Sequence, residues 1–398
     1  MAPEGWKIIP LASVAEIRTG LAKSSQRKSI DPVQMPYLRV ANVQDGHLDL
    51  SEMKTITIER SEATRYLLLN GDVLLTEGGD FDKLGRGAVW KSEIPNCLHQ
   101  NHVFVVRTYR DILLPDFLSA LAGSVYGKSY FLKCSKQSTN LASINSSQLR
   151  AFPVLLPPIN EQRVILNVLA TWDRAIDLTS QLITAKQQCK RGLMQQLLTG
   201  KRRFREFVGG ARTRKQLGDL FSERRETGRS DLPLLSITSK EGIVLRDALE
   251  RRDTSTEDKS TYLRICKGDI GYNTMRMWQG VSALSSMEGI VSPAYTVCTP
   301  LECVDARFMG YLFKFPPMIH LFYRYSQGLV DDTLSLKFDA FSKIEVTIPS
   351  LDEQKRIAEI LDACDHELTL LNRKLTLLKK QEQGLMQQLL TGKVRVNA

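Results

Sequence analysis

Gly192-Leu193-Met194-Gln195-Gln196-Leu197-Leu198-Thr199-Gly200-Lys201 recurs unchanged at residues 384–393, an offset of 192 positions in a chain of 398. Extended upstream without a gap to Glu161-Gln162 and Glu353-Gln354, the two copies share 17 of 41 aligned residues, among them Ile165 with Ile357, Leu169 with Leu361 and Asp173 with Asp365. Self-similarity at a fixed long offset marks an architecture built from copies. The match reaches back through Val154-Leu155-Leu156-Pro157 and Val346-Thr347-Ile348-Pro349. Weaker echoes lie further out. Asn70-Gly71-Asp72-Val73 resembles Lys267-Gly268-Asp269-Ile270, a turn feeding a buried strand, and Leu11 to Gly20 resembles Leu217 to Gly228. The order is divergent segment, helix, divergent segment, helix, which implies one shared framework carrying two different reading surfaces.

Each repeat has the marks of a long helix. Prolines at 157, 158 and 349 bar helix upstream, Asn160 and Asp352 suit the N-cap, and Glu161 and Glu353 suit the positive end of the helix dipole. Gly200 and Gly392 are placed to close the helices in the left-handed conformation. About 40 residues at 1.5 Å rise give a rod of roughly 60 Å. Ile357, Leu361, Cys364, Leu368, Leu371, Leu375, Leu378, Leu385 and Leu389 alternate by fours and threes, with Gln381 as the one polar interruption, the period of a coiled coil. Ile165, Leu169, Trp172, Ile176, Ile183, Leu193 and Leu197 match them, with Thr179, Lys186 and Lys190 interrupting. Each stripe needs a cover, and its closest complement is the other copy, so the helices are expected to pair within the chain. The alternative is that each packs as an ordinary amphipathic helix on a globular core. Gly192 and Gly384 weaken otherwise strong helical sequence, so a kink or close packing against another protein is expected there. The surface Gly192, Leu193, Gln195, Gln196, Leu197, Gly384, Leu385, Gln387, Gln388 and Leu389 is the candidate docking site for a partner subunit.

Composition sets the outer bounds. With 42% hydrophobic and 25% charged residues, the chain can bury two or three globular cores. Residues Met1 to Lys7 show no basic stretch leading into an apolar one, and no apolar run approaches a membrane span, so a cytoplasmic protein is expected. The seven cysteines are scattered without a Cys-x-x-Cys pair, and only five histidines accompany them, which argues against a disulfide framework or a metal site. The net charge of +10 points to a polyanionic partner, and residues 159–214 alone contribute +7.

Two divergent domains, each followed by a Pro-x-x-Glu-Gln type segment and a long helix ending in Leu-Leu-Thr-Gly-Lys, resemble the specificity subunit of type I restriction-modification systems along essentially the whole chain. The residues that carry the resemblance are Pro158-Ile159-Asn160-Glu161-Gln162, Pro349-Ser350-Leu351-Asp352-Glu353-Gln354 and the duplicated ten-residue run. The resemblance implies an α+β protein in which two mostly-β or mixed target recognition domains are separated by two long helices. Those helices would form an antiparallel intramolecular coiled coil with a pseudo-twofold internal repeat. The implied division is 1–156 and 209–348 for the recognition domains, with 157–208 and 349–398 as central and C-terminal spacer helices. It further implies double-stranded DNA as ligand, docked modification (methyltransferase) subunits, two of them expected, and restriction subunits joining through the complex. S-adenosylmethionine is expected on the methyltransferase and no cofactor on this chain. Reading two half-sites requires two surfaces at a set separation, and a helical pair is a suitable ruler.

Within the first domain, the glycine-rich loop Thr76 to Gly87 places Lys83 and Arg86 where they could reach bases or phosphates, or simply decorate a surface loop. It lacks the Gly-Lys-Ser/Thr ending of a P-loop. Gln100 and Asn101, before the strand Val103 to Val106, are candidate readers of adenine, although capping a turn is the commoner use of such amides. Lys136, Gln137 and Asn140 lie in a polar loop that faces DNA or solvent. In the second domain Arg276, Trp278 and Gln279 combine the side chains suited to a groove, a buried tryptophan beside a surface arginine being the alternative. Lys337 aligns with Asn145, and either could face the duplex.

The chemistry of an enzyme is not legible. An adenine methyltransferase requires an Asn/Asp-Pro-Pro-aromatic tetrad, whereas Asp31-Pro32 runs into Val33-Gln34, and a nuclease requires clustered carboxylates with a lysine, of which Glu52-Met53-Lys54 is only a fragment. No catalytic residues are assigned. Competing readings are a coiled-coil adaptor, which leaves two divergent domains unexplained, and the DNA-recognition part of a combined restriction-methylation enzyme.

Overall fold

The computed structural model describes residues 3–22, 30–79, 84–137, 142–239, 241–249, 258–330 and 333–397. The chain divides into two compact units, Met1–Ser180 with Lys374–Ala398, and Gln181–Arg373. Two 40-residue helices, α1 (Ile159–Leu198) and α2 (Leu351–Leu390), run through that division, so each unit owns a part of both.

The first unit is mixed α/β. Its antiparallel sheet has the order Ala15–Arg18, Val103–Thr108, Val73–Thr76, Gly87–Val89, with Val73 opposite Val106 and Leu75 opposite Phe104. Buried on both faces, the strand Val73–Thr76 reads as an unbroken apolar run. Helices Pro115–Gly123 and Val125–Cys134 cover it, and the ribbon Lys7–Pro10 with Pro153–Leu156 leads into α1. Phe131 stacks on Phe152 at 5.1 Å within a core that also takes Ile165 and Leu169 from α1 and Leu389 and Leu390 from α2.

The second unit repeats the order of elements. Its sheet runs Phe221–Glu223, Tyr295–Pro300, Ile270–Asn273, Ser282–Leu284. Helices Ala306–Phe313 and Pro316–Tyr325 and the ribbon Thr213–Gln216 with Glu345–Ile348 come in the same chain order as their counterparts in the first unit. Leu197 and Leu198 of α1 enter its core beside Ile357 and Leu361 of α2.

The helix ends separate correct from incorrect expectations. Gly200 (φ 74°) and Gly392 (φ 67°) are left-handed, and their amides donate to Leu197 and Leu389 carbonyls at 3.1 Å, closing each helix as the sequence predicts. The N-caps differ. α1 starts at Ile159, so Asn160 lies inside the first turn, where its side chain accepts from Arg163, and the Pro158 carbonyl takes the Gln162 amide at 3.0 Å. In α2 the cap is Ser350, whose hydroxyl accepts from the Glu353 amide at 3.4 Å, and Asp352 is already helical. Proline accommodates the start because the first amides of a helix have no partner anyway.

His99 on the strand Leu98–His99 is buried and donates from Nδ1 to the Val103 carbonyl at 2.8 Å. Burial pushes its pKa down to about 4 from the ordinary 6.5. The unfolded chain therefore binds a proton that the folded chain refuses between those values. Stability from the neutral ring is fully present above pH 6.5 and is lost as pH falls toward 4, by up to about 3 kcal/mol. Urea unfolding of the protein and of His99→Gln at pH 7.5 and 4.5 should show a smaller acid loss in the variant. An equal loss in both would show that His99 is not the acid-sensitive group.

Candidate nucleic-acid interface

In the first unit a cleft of about 800 Å³ opens between the turn after Leu38 and the short strands Gly78–Gly79, Lys136–Gln137 and Ala142–Ser143. Arg39, Glu77, Gln100, His102, Lys136 and Ser143 supply its polar lining. The floor is bare backbone at Gly78, where a Cβ would sit 2.5 Å from the Ala142 carbonyl oxygen, so the pairing of these strands requires glycine. His102 Nδ1 lies 2.5 Å from Glu77 Oε2, and Asn101 Nδ2 lies 3.2 Å from His102 Nε2. Gln100 accepts from the Val40 amide at 3.3 Å, which leaves its own amide nitrogen as a donor. Arg39 donates to the Glu52 carbonyl at 3.2 Å and stands 3.7 Å from the Glu52 carboxylate, while its Nε is buried without a hydrogen-bond partner.

Of the first-domain candidates, Gln100 and Lys136 line this cleft, and Asn101 reaches it only through His102. Gln137 pairs with Ala142 in the strand next to Lys136. Arg86 is half-buried and donates to Gln44 at 3.1 Å, away from the cleft. Asn145 forms the capping box of helix Ser146–Arg150 with Gln148, so its side-chain oxygen accepts from the Gln148 amide, while the residue stays exposed. Lys83 and Asn140 lie outside the described residues. The sequence reading passed over Arg39, which stands alone after a strand with no local motif to mark it.

In the second unit Arg276, Trp278 and Gln279 share one turn. Trp278 is half-buried, edge-on to Tyr323 at 6.1 Å, and its indole nitrogen donates to the Met275 carbonyl at 3.1 Å, so only its ring face remains available. Arg276 and Gln279 are exposed. Lys337 is exposed at the N-cap of Phe338–Phe341, the position Asn145 holds in the first unit. The adjoining Leu336 amide donates to the Thr274 carbonyl at 2.9 Å, and the Ile144 amide donates likewise to Glu77 at 2.8 Å. Both domains thus present a loop edge at corresponding places.

The helix ends combine two roles. Leu197 and Leu389 are buried in the cores of their units, which removes them from any free docking surface, and Leu193 and Leu385 are half-buried. Gln195, Gln196, Gln387, Gln388 and Gly384 are exposed. Neither Gly192 nor Gly384 interrupts its helix, and a Cβ at either would meet nothing within 4 Å. Packing within the chain therefore does not explain these glycines.

Glu161 and Glu353 are far more than helix-start acids. Glu161 is buried and accepts from Arg395 Nε at 2.7 Å and from the Trp6 indole at 3.0 Å; Glu353 is buried against Arg203 Nε at 2.9 Å. Gln162 accepts from the Leu114 amide at 2.9 Å, and Gln354 from the Asp305 amide at 3.0 Å. The arginines sit at the same 192-residue offset, two residues beyond the duplicated run, and that continuation was the available signal.

The type I restriction modification DNA specificity domain matches residues 3–186 and again 213–380, and the chain belongs to that family. A chain from Methanocaldococcus jannaschii, provisionally named as the MjaX type I restriction enzyme specificity subunit, is 24% identical over 422 residues, covering 99% of this chain and 95% of that one. The fold is similar to a chain from a structural study of complex assembly and conformational transition in the type I R-M system, at TM-score 0.63, 15% identity, and coverage of 99% of this chain and 100% of that one. It is also similar to the crystal structure of the HsdS subunit from Thermoanaerobacter tengcongensis, at TM-score 0.54, 15% identity, and coverage of 99% and 98%. Among the described residues no helix is long and apolar enough to cross a membrane, and no group of histidine, cysteine, aspartate and glutamate could hold a metal ion.

Proposed function

We propose that this chain is the non-catalytic DNA-reading subunit of a type I restriction-modification complex. Residues 1–156 and 209–348 each read one half of a split, asymmetric duplex target. Segments 157–208 and 349–398 pair as an antiparallel coiled coil with pseudo-twofold symmetry and set the distance between the halves. Two modification subunits dock on the exposed glutamine faces at the helix ends and bring S-adenosylmethionine and the catalytic groups. Restriction subunits join through the complex, and all of this takes place in the cytoplasm.

The observation that supports this reading best is the recurrence of one order of elements around surfaces that differ. The cleft of the first unit carries Arg39, Gln100 and Lys136, and the corresponding edge of the second carries Arg276 and Gln279. A shared framework with unlike edges suits two unlike half-sequences, and a palindrome would require like ones.

The test is to map methylated adenines by long-read sequencing in cells expressing the complete system. Exchanging residues 1–156 for those of a relative should change one half of the motif, and exchanging 209–348 the other. Inserting one or two helical turns before Gly192 should change the gap and leave both halves intact. If a single exchange altered both halves, the modular reading would fail. If the purified chain methylated DNA unaided, it would be an enzyme.

A further inference from the structure

We infer that the first unit's cleft reads the major-groove edge of one G·C base pair, with Arg39 on guanine and Glu77 on cytosine. The inference rests on the DNA-reading function above and names the chemistry of one of its sites. Donors dominate the cleft: the Arg39 guanidinium, the free amide nitrogen of Gln100, the Lys136 ammonium and the Ser143 hydroxyl. Their ligand must be rich in acceptors. In DNA that describes the guanine edge, with O6 and N7, or a backbone phosphate.

Glu77 decides between them. A carboxylate on the cleft wall repels a phosphate, whereas it accepts from the exocyclic amine of cytosine, the partner of guanine in the same pair. His102, 2.5 Å from one oxygen of Glu77, holds that carboxylate in place. Gly78, Ala41 and Ala142 carry little or no side chain and leave room for a flat edge between the polar groups. Arg39 is the under-satisfied member, held by one hydrogen bond to the Glu52 carbonyl and a 3.7 Å contact, with Nε buried and unbonded. Turning toward a base would cost it little and would satisfy donors that are idle in the free protein.

The test uses the assembled complex with its modification subunits, comparing the natural chain with Arg39→Ala, Arg39→Lys and Glu77→Gln. Motif mapping and binding to duplexes substituted at each position are read together, with thermal melting to establish folding. The expected result is that one G·C position in one half-site becomes tolerant, with a 5- to 150-fold loss of discrimination there. The other half-site and the salt dependence should stay as they were. Arg39→Lys keeps the charge without the planar fork and should relax the same position if Arg39→Ala does not fold. Uniform weakening across all sequences, with the salt slope reduced by about 1, would assign Arg39 to a phosphate and overturn the inference. An unchanged motif, or a natural half-site with no required G·C pair, would overturn it as well. A natural complex with no split motif at all would instead sink the underlying reading.

Discussion

Arg203→Ala and Arg395→Ala are each expected to lower the unfolding free energy by more than the loss of a surface ion pair would, with the larger effect at Arg203, whose side chain is the less exposed of the two. The cause is the carboxylate left behind. Glu161 keeps 3% of its side chain exposed and Glu353 keeps 1%, and each is matched by one guanidinium. Losing the arginine strands a buried charge with little water to replace it, and such a loss exceeds what the pair itself contributes. Around Glu161 the arginine also stands 5.8 Å from the centre of the Trp6 ring and bonds the Glu4 carbonyl, so the N-terminal segment would loosen with it. The double variant Glu161→Gln with Arg395→Ala should recover most of the loss, because the amide needs no counter-charge. Urea unfolding followed by circular dichroism measures all three, and a single-variant loss below 1 kcal/mol would refute the buried-charge account. Salt should change little at Arg203, whose side chain is 16% exposed, and should weaken the Arg395 pair more, because Arg395 keeps 42% of its side chain in solvent.

The same pair shows what could be read in the sequence. Helix length and termination were legible because Gly200 and Gly392 act locally, through the left-handed turn each permits. The two cores were legible in outline, since an unbroken apolar strand such as Val73–Thr76 must be buried on both faces. The partners of Glu161 and Glu353 were not. The Glu161–Arg395 pair spans 234 positions in sequence, and no local rule links residues so far apart. The recognition edges were half-legible: Gln100 and Lys136 fall in one cleft, but whether Arg86 points into it or toward Gln44 depends on a long-range contact. Asn145 illustrates a competition, because an asparagine before a helix caps it whenever the backbone amides are in reach.

Lys190→Glu should destabilise the second unit by about 2–3 kcal/mol at pH 8, whereas Glu382→Lys should stabilise the first. These positions correspond at the 192-residue offset, as do Asp365 and Asp173. In the second unit the pair is attractive. Lys190 Nζ lies 2.5 Å from Asp365, it sits 4.9 Å from the centre of the Tyr311 ring, and Tyr311 donates to Asp362 at 2.8 Å and Asp365 at 2.7 Å. A glutamate there would join Asp362 and Asp365, leaving Arg307, 3.1 Å from Asp362, as the cation beside three carboxylates. In the first unit both partners are acids, and burial together with Asp173 pushes the Glu382 carboxyl up to about 7. Its folded value exceeds the ordinary 4.5, so the stability it contributes is fully present below pH 4.5 and is lost as pH rises through 7. Glu382→Lys replaces that repulsion with an ion pair and should remove this part of the pH dependence. Unfolding measured from pH 5 to 8.5 distinguishes the outcomes, and an unchanged slope in Glu382→Lys would show that the two acids do not interact. At corresponding positions one unit thus holds a lysine–aspartate ion pair, and the other holds two carboxylates whose shared proton neutral pH begins to remove.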